Sequence, residues 1–378
     1  MKSRFQLALL ALLLAALTAI CAACGYGGTE TAPSAAADSP QPTEASAAYP
    51  RFNRVEMDIF DTVVQLTGFS PDQQTFQDAA DGVMALLRRY HQLFDGYNEY
   101  EGLHNLRYVN LHAAESPVEV PEELFDLLAW CKTRWEEGNT KTNIAMGAVL
   151  SIWHTYRTAG ANDPAHAQLP PMDALETAAQ HVDIENLVLD SEKKTVFFTD
   201  PLLQLDVGAV AKGYAADAAN EYLSKVLPSY LLSLGGNVYA GEAPMDGRDN
   251  WGVGIQDPRV SSESLTQSES NILDVLDLHG LTVVTSGDYW RYYEVDGKRY
   301  HHIIDPDTLF PSTQMLSVTV VCRSSLLADY LSTTLFILPY EDGLALVSGL
   351  SDVEVLWVLP DQSIRMTDGM TGYLRSMK

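Results

Sequence analysis

The pair Asp296-Gly297 splits two runs rich in aromatic and apolar residues, "RYYEV" and "KRYHHII", and a second polar turn splits "NLVLD" from "TVFF". Short strands joined by tight turns pair antiparallel, so the chain cannot fold as a purely parallel, doubly wound sheet. Between such runs, apolar residues recur at helical spacing: in "TFQDAADGVMALLRRYHQLFD" and at Glu122–Glu137, Ile144–Tyr156, Met172–Gln180, Ala209–Leu227 and Leu326–Leu338. "VEMDIFDTVVQLTGF" predicts an opening strand pair. Together these patterns predict a single α+β domain with a mixed, mainly antiparallel sheet and packed helices. No glycine-rich phosphate loop of the dinucleotide or P-loop type follows any strand.

The domain does not begin at the first residue. Lys2 and Arg4 precede an apolar run from Leu7 to about Ile20 that ends in Ala22 and Ala23, the layout of a secretory signal segment over residues 1–23. At roughly 14 residues the run is short for a bilayer-spanning helix. Cleavage before Cys24 leaves a cysteine at the mature N-terminus, placed as in a lipoprotein, whereas bulky Ile20 makes Cys21 the poorer candidate. Residues 24–50 are Ala, Ser, Thr, Pro and Glu with almost no large apolar side chain, the composition of a flexible tether, and the folded domain spans 51–378. A lipid-anchored protein outside the cytoplasmic membrane is the expectation. The net charge of −26 opposes binding to nucleic acid and to other polyanions. Cys131 and Cys322 fall on apolar patterns and read as buried free thiols.

Four segments are polar or glycine-rich where a plain core would be neither: "LDVGAVAKGYAAD", "LSLGGNVYAG", "TSGDYWRYYEVDGKRYHHIIDPDT" and "SSLLADYLSTTLFIL". In the first, a helix start attracts phosphate and Lys212 one turn in adds a point charge; otherwise Asp206 caps the helix and Lys212 is solvated. In the last, Asp329 and Thr333 stand at i and i+4 on one helical face, a pair of hard oxygen ligands suited to magnesium unless Thr333 bonds back to its own helix. Adjacent His301 and His302 on a strand point to opposite faces and cannot easily share one ion. His302 is the candidate acid–base residue, and Asp305 with Pro306 braces a turn.

The order of these blocks resembles the ApbE family of FAD:protein FMN transferases over nearly the whole chain after the tether. The resemblance implies an α+β domain that binds FAD, holds Mg2+ against its pyrophosphate, and transfers FMN to a threonine or serine of an acceptor protein while AMP leaves. Carried over by motif, the metal ligands are the carbonyl of Ala209, the carboxylate of Asp329 and the hydroxyl of Thr333, with Ser332 where some relatives have a further acid. Flavin contacts are Asp206, Lys212, Tyr97, which is placed to stack on a ring, and Ile303 beside His302. His302 and Asp329 are the catalytic pair. Phe60, Thr142 with Asn143, and Leu309 stand where Met-Gly-Thr, Phe-Asp and glycine are usual, so the contacts at Phe60, Thr142 and Asn143 depart from the pattern. The implied acceptor is an FMN-binding domain of membrane or exported electron transfer. Two rivals remain: a metal-dependent FAD pyrophosphatase of the same fold, in which water replaces the acceptor hydroxyl, and a flavin-binding lipoprotein without catalysis, whose usual two domains of repeating βα units are missing here and which does not require Asp329 and Thr333.

Overall fold

The computed structural model describes residues 49–260, 271–289 and 291–377. Cys24, the signal segment and nearly all of the tether lie outside the described residues. Fifteen strands and eight α-helices alternate along the described chain. The strands are β1 Arg51–Ile59, β2 Thr62–Phe69, β3 Val118–Glu119, β4 Leu187–Asp190, β5 Thr195–Phe198, β6 Ser229–Leu234, β7 Asn237–Ala240, β8 Trp251–Gln256, β9 Ile272–Leu278, β10 Leu281–Gly287, β11 Tyr292–Val295, β12 Lys298–His301, β13 Ser317–Cys322, β14 Glu354–Val358 and β15 Ile364–Met366. The helices are α1 Gln73–Leu93, α2 Leu106–His112, α3 Glu122–Glu136, α4 Gly147–Asn162, α5 Met172–Ala178, α6 Ala211–Val226, α7 Ser325–Ile337 and α8 Tyr340–Ser348.

One eight-stranded sheet, in the order β1-β2-β6-β7-β10-β13-β14-β15, carries the molecule, and every pairing within it is antiparallel. The period-2 alternation explains why both of its faces are covered. Val318, Val320, Val355 and Trp357 point into the larger core with α1, α6 and α7, while Val321, Leu356 and Val358 point the other way against the β8–β9 hairpin around Trp251. Full burial of each such side chain contributes about 1.5–3 kcal/mol. A third cluster packs α4 through Trp153 against Tyr293, Ile304 and Leu309.

Both hairpins read from the sequence are present, β4–β5 and β11–β12. The β1–β2 turn places Phe60 at φ 53° and Asp61 at φ 52°, the two positive angles of a tight primed turn. Strand β12 ends one residue earlier than the expected alternation requires: His301 is in the strand and His302 follows it on a bend. Cys131 and Cys322 are free and buried, as expected. No helix among the described residues is long and apolar enough to cross a membrane.

Candidate active site

Helices α6 and α7 meet where the first and last polar blocks of the sequence come together. Asp217 of α6 accepts from Ser324 Oγ, Ser325 N and Leu326 N at the start of α7, at 2.8, 2.6 and 3.0 Å. In return Asp329 Oδ2 on α7 accepts from Gly213 N of α6 at 2.8 Å. The two carboxylates therefore tie the helices together in both directions, each filling donors that a helix start leaves open. The close approach needs glycine: a Cβ at position 213 would lie 2.4 Å from Ser325 O and 2.7 Å from Asp329 Cβ.

That bond alters the start of α6. In a regular helix Gly213 N–H would donate to Ala209 O, four residues back. Diverted to Asp329, it leaves the Ala209 carbonyl without a backbone donor among the described residues. Asp329 itself is 4% exposed. Burial raises its pKa, against the opposing pull of Lys212, whose Nζ stands 3.6 Å from Oδ1, and of the Gly213 amide. The Asn237 amide faces the same carboxylate, yet neither of its buried polar atoms makes a hydrogen bond of normal geometry. Thr333 is half-buried and, unlike Thr334, whose hydroxyl meets Thr142 Oγ1 at 2.8 Å, makes no hydrogen bond to a described residue. A buried carboxylate, a free carbonyl, an unengaged hydroxyl and an orphaned amide form a set of hard oxygen donors that fits magnesium. Among the described residues no group of three or more His, Cys, Asp or Glu supplies an alternative site.

Lys212 is thus turned inward to Asp329, not solvated, and Asp206 does not cap α6. Its Oδ1 accepts from Gly208 N at 2.7 Å and shapes the turn before the helix. Tyr97, 53% exposed, lies 4.6 Å from the His154 ring, and burial together with the Asp206 charge raises its phenol pKa. Thr142 and Asn143 are buried. Asn143 accepts from Ala145 N and donates to Val182 O, both at 2.8 Å, so its amide is engaged in the loop. Phe60 N donates to His91 Nδ1 at 3.1 Å. Ile303 is buried, its N–H donating to His301 Nδ1 and its carbonyl accepting from Ser312 N.

The two histidines differ. His301 is sealed edge-on against Phe336, with Nε2 2.9 Å from Ser312 O, and burial lowers its pKa to about 4. His302 is half-buried, but its Nδ1 is inaccessible and unpartnered. Burial, then the charges of Arg291, Arg157, His301 and Lys212, hold it well below the ordinary imidazole range. The neighbouring aspartates are structural: Asp305 Oδ1 accepts from Asp307 N, and Lys141 clamps both carboxylates at 3.1 and 2.5 Å. Leu309, at the position where glycine is usual, has φ 60°.

Arg157 and Arg291 are the members of this cluster that sequence reasoning missed. Arg291 lay inside the block "TSGDYWRYY", and Arg157 is one helical turn beyond Trp153, the residue that fixes α4 by donating to Leu309 O at 2.8 Å. A surface concavity lined by Ala148, Ile152, Thr177, His181 and Gln204 holds none of the candidate residues.

Fold and site together define an α+β protein whose cations and hard oxygen donors converge at the junction of two helices and a hairpin. The chain belongs to the ApbE family, whose model matches residues 60–357. It is 33% identical over 288 residues to an FAD:protein FMN transferase of Klebsiella pneumoniae, covering 75% of this chain and 83% of that one. It is also 33% identical to one of Treponema pallidum over 311 residues, 79% of this chain and 81% of that one. The ApbE protein of Thermotoga maritima superposes with a TM-score of 0.73 at 24% identity, over 86% of this chain and all of that one. The apo flavinyl transferase ApbE of Pseudomonas stutzeri gives 0.66 at 25%, over 84% and 94%.

Proposed function

We propose that the protein transfers FMN from FAD to a threonine or serine hydroxyl of an acceptor protein, with magnesium, releasing AMP. The observation that carries this reading is the α6–α7 junction, where Asp329 meets the Gly213 amide and Lys212 while the Ala209 carbonyl, just before α6, has no backbone donor among the described residues. Relatives that share a third of its residues over most of their length bear the transferase name, which supports the same reaction here.

Ala209 O, Asp329 and Thr333 would hold the ion, which when bound neutralises charge that builds on the pyrophosphate oxygens. Lys212 adds positive charge at the same end. The acceptor oxygen attacks the phosphorus of the FMN half, the bond from that phosphorus to the bridging oxygen breaks, and AMP departs with the bridging oxygen. His302, neutral at pH 7, takes the hydroxyl proton in this reading. Burial and then the Arg291 and Arg157 charges depress its pKa, and an incoming pyrophosphate offsets the part due to those charges and so makes it the better base. Tyr97 presents an exposed ring beside His154 for flavin stacking. Cys24 carries the lipid that holds the domain outside the cytoplasmic membrane, beside a membrane-bound or exported acceptor.

The test is incubation with FAD, magnesium chloride and a candidate FMN-binding acceptor, followed by intact mass. A gain of one FMN on the acceptor with equimolar AMP is expected. AMP released equally with and without acceptor, on an unmodified acceptor, would make the protein a pyrophosphatase, and stabilisation by FAD without AMP release would make it a binding protein.

A further inference from the structure

Arg157 lies on α4 and Arg291 immediately precedes β11, two elements that pack together through Trp153 and Tyr293. The chain holds 50 acidic against 24 basic residues, so an arginine here has acidic neighbours in plenty. Yet neither guanidinium lies within ion-pair distance of a carboxylate among the described residues. Arg157 is half-buried on α4 and its Nη2 stands 3.2 Å from His154 Nδ1. His154 in turn packs against the Tyr97 ring at 4.6 Å, and the arginine is thereby aimed. Arg291 precedes β11 and, among the described residues, its Nη2 reaches the Phe60 carbonyl, at 3.4 Å, on the β1–β2 turn. Burial and then the Arg291 charge both weaken the protonated form of Arg157, a repulsion that a bound anion would relieve. His302 has a buried Nδ1 without a hydrogen-bond partner, and burial, followed by the charges of Arg291 and Arg157 among others, lowers its pKa.

We propose that Arg157 and Arg291 form a second anion subsite, apart from the Asp329–Lys212 end, that receives the phosphate group of a nucleotide or flavin phosphate. In the reaction above, on which this inference rests, that group is the phosphate of one half of FAD, either the FMN half or the departing AMP. Two planar guanidinium forks suit a phosphate's oxygens better than one point charge does. Asp206, whose charge acts on Arg157 and Tyr97, bonds Gly208 N through Oδ1 and makes no ion pair with either arginine among the described residues.

The experiment is calorimetric titration of the full chain, without added metal, with inorganic phosphate, FMN, AMP and riboflavin, on the wild type, Arg157→Gln and Arg291→Gln. Arg291 is exposed, so its variant keeps the fold if the half-buried one does not. Each substitution should weaken binding of the phosphate-bearing ligand about tenfold or more, and riboflavin should be unaffected. Loss confined to FMN assigns the subsite to the FMN half, and loss confined to AMP assigns it to the leaving group. Wild-type affinity for FMN, AMP and phosphate retained in Arg291→Gln, or no binding of any of them by the wild type, overturns the subsite. Acceptor labelling by the wild type in the intact-mass assay separates that outcome from failure of the transferase reading.

Discussion

Gly213 N–H donates to Asp329 Oδ2 across the α6–α7 junction at 2.8 Å, and this one bond both orients the carboxylate and frees the Ala209 carbonyl. The expected helix start at Ala209 accordingly moves to Ala211. The bond fills a first-turn donor of α6 and leaves the Ala209 carbonyl, just before the helix, available to a ligand.

Gly213→Ala should damage the site more than its one added methyl implies. The new Cβ meets backbone at Ser325 O and the root of Asp329, neither of which can rotate away. Overpacking of this kind typically costs about 1–3 kcal/mol. A fall in melting temperature with a parallel loss of magnesium-dependent stabilisation is expected; an unchanged melting curve in magnesium would show that the helices can part without consequence.

Asp329→Asn separates metal binding from folding. Asparagine keeps an oxygen for Gly213 N–H but removes a charge whose burial is unfavourable, as its raised pKa reports. The metal-free protein should keep or slightly gain stability, lose the stabilisation that magnesium confers, and fail to label an acceptor. Thermal unfolding with and without magnesium reads the first two, and labelling at the wild-type rate would remove Asp329 from the chemistry.

How much of this was legible depended on distance along the chain. The hairpins were readable because turn residues and alternation are local, as at Asp296-Gly297 between β11 and β12. The Asp329–Thr333 face was readable because helical spacing is local too. Arg157 was not, since its meaning arises only where α4 meets the β11 hairpin and Tyr97, three segments far apart in sequence. Asn143 shows the reverse: its place in the motif order points to flavin, whereas its amide is occupied by Ala145 and Val182.

Cys24→Ala should release the protein into the medium or leave the leader uncleaved, because Cys24 is the cysteine placed to carry the lipid after cleavage. Fractionation with an antibody to the domain reads the outcome. Normal processing with full membrane retention would exclude the anchor.

His302→Ala should reduce acceptor labelling roughly 10²–10⁴-fold and spare FAD binding, since its unpartnered nitrogen is held by no protein group. His301→Ala should act on stability instead, because its ring bridges Ser312 O and Ile303 N inside the core. Similar losses of labelling in both, tracking loss of folded protein, would make the loop structural.

Acidification should expose the same difference thermodynamically. The pKa of His301 falls from about 6.5 in the unfolded chain to about 4 in the fold. Above pH 6.5 both states are neutral and the residue contributes no pH dependence. Below it the unfolded chain takes up a proton that the native state refuses, so stability declines as pH falls, until the folded pKa is reached. Each pH unit in that window costs about 1.4 kcal/mol, or roughly 2 kcal/mol between pH 6.5 and 5. Asp288, which burial raises to about 6, titrates in the same interval with the opposite sign, because the native state binds its proton more tightly. A raw pH profile therefore mixes the two. The difference between wild type and His301→Gln cancels Asp288 and every other shared group, and urea unfolding at pH 7, 6 and 5 measures it. The wild type should lose about 2 kcal/mol more than the variant over the acid limb; profiles that stay parallel would mean that His301 is protonated in the native state, and that the Ser312 and Ile303 bonds do not hold it neutral.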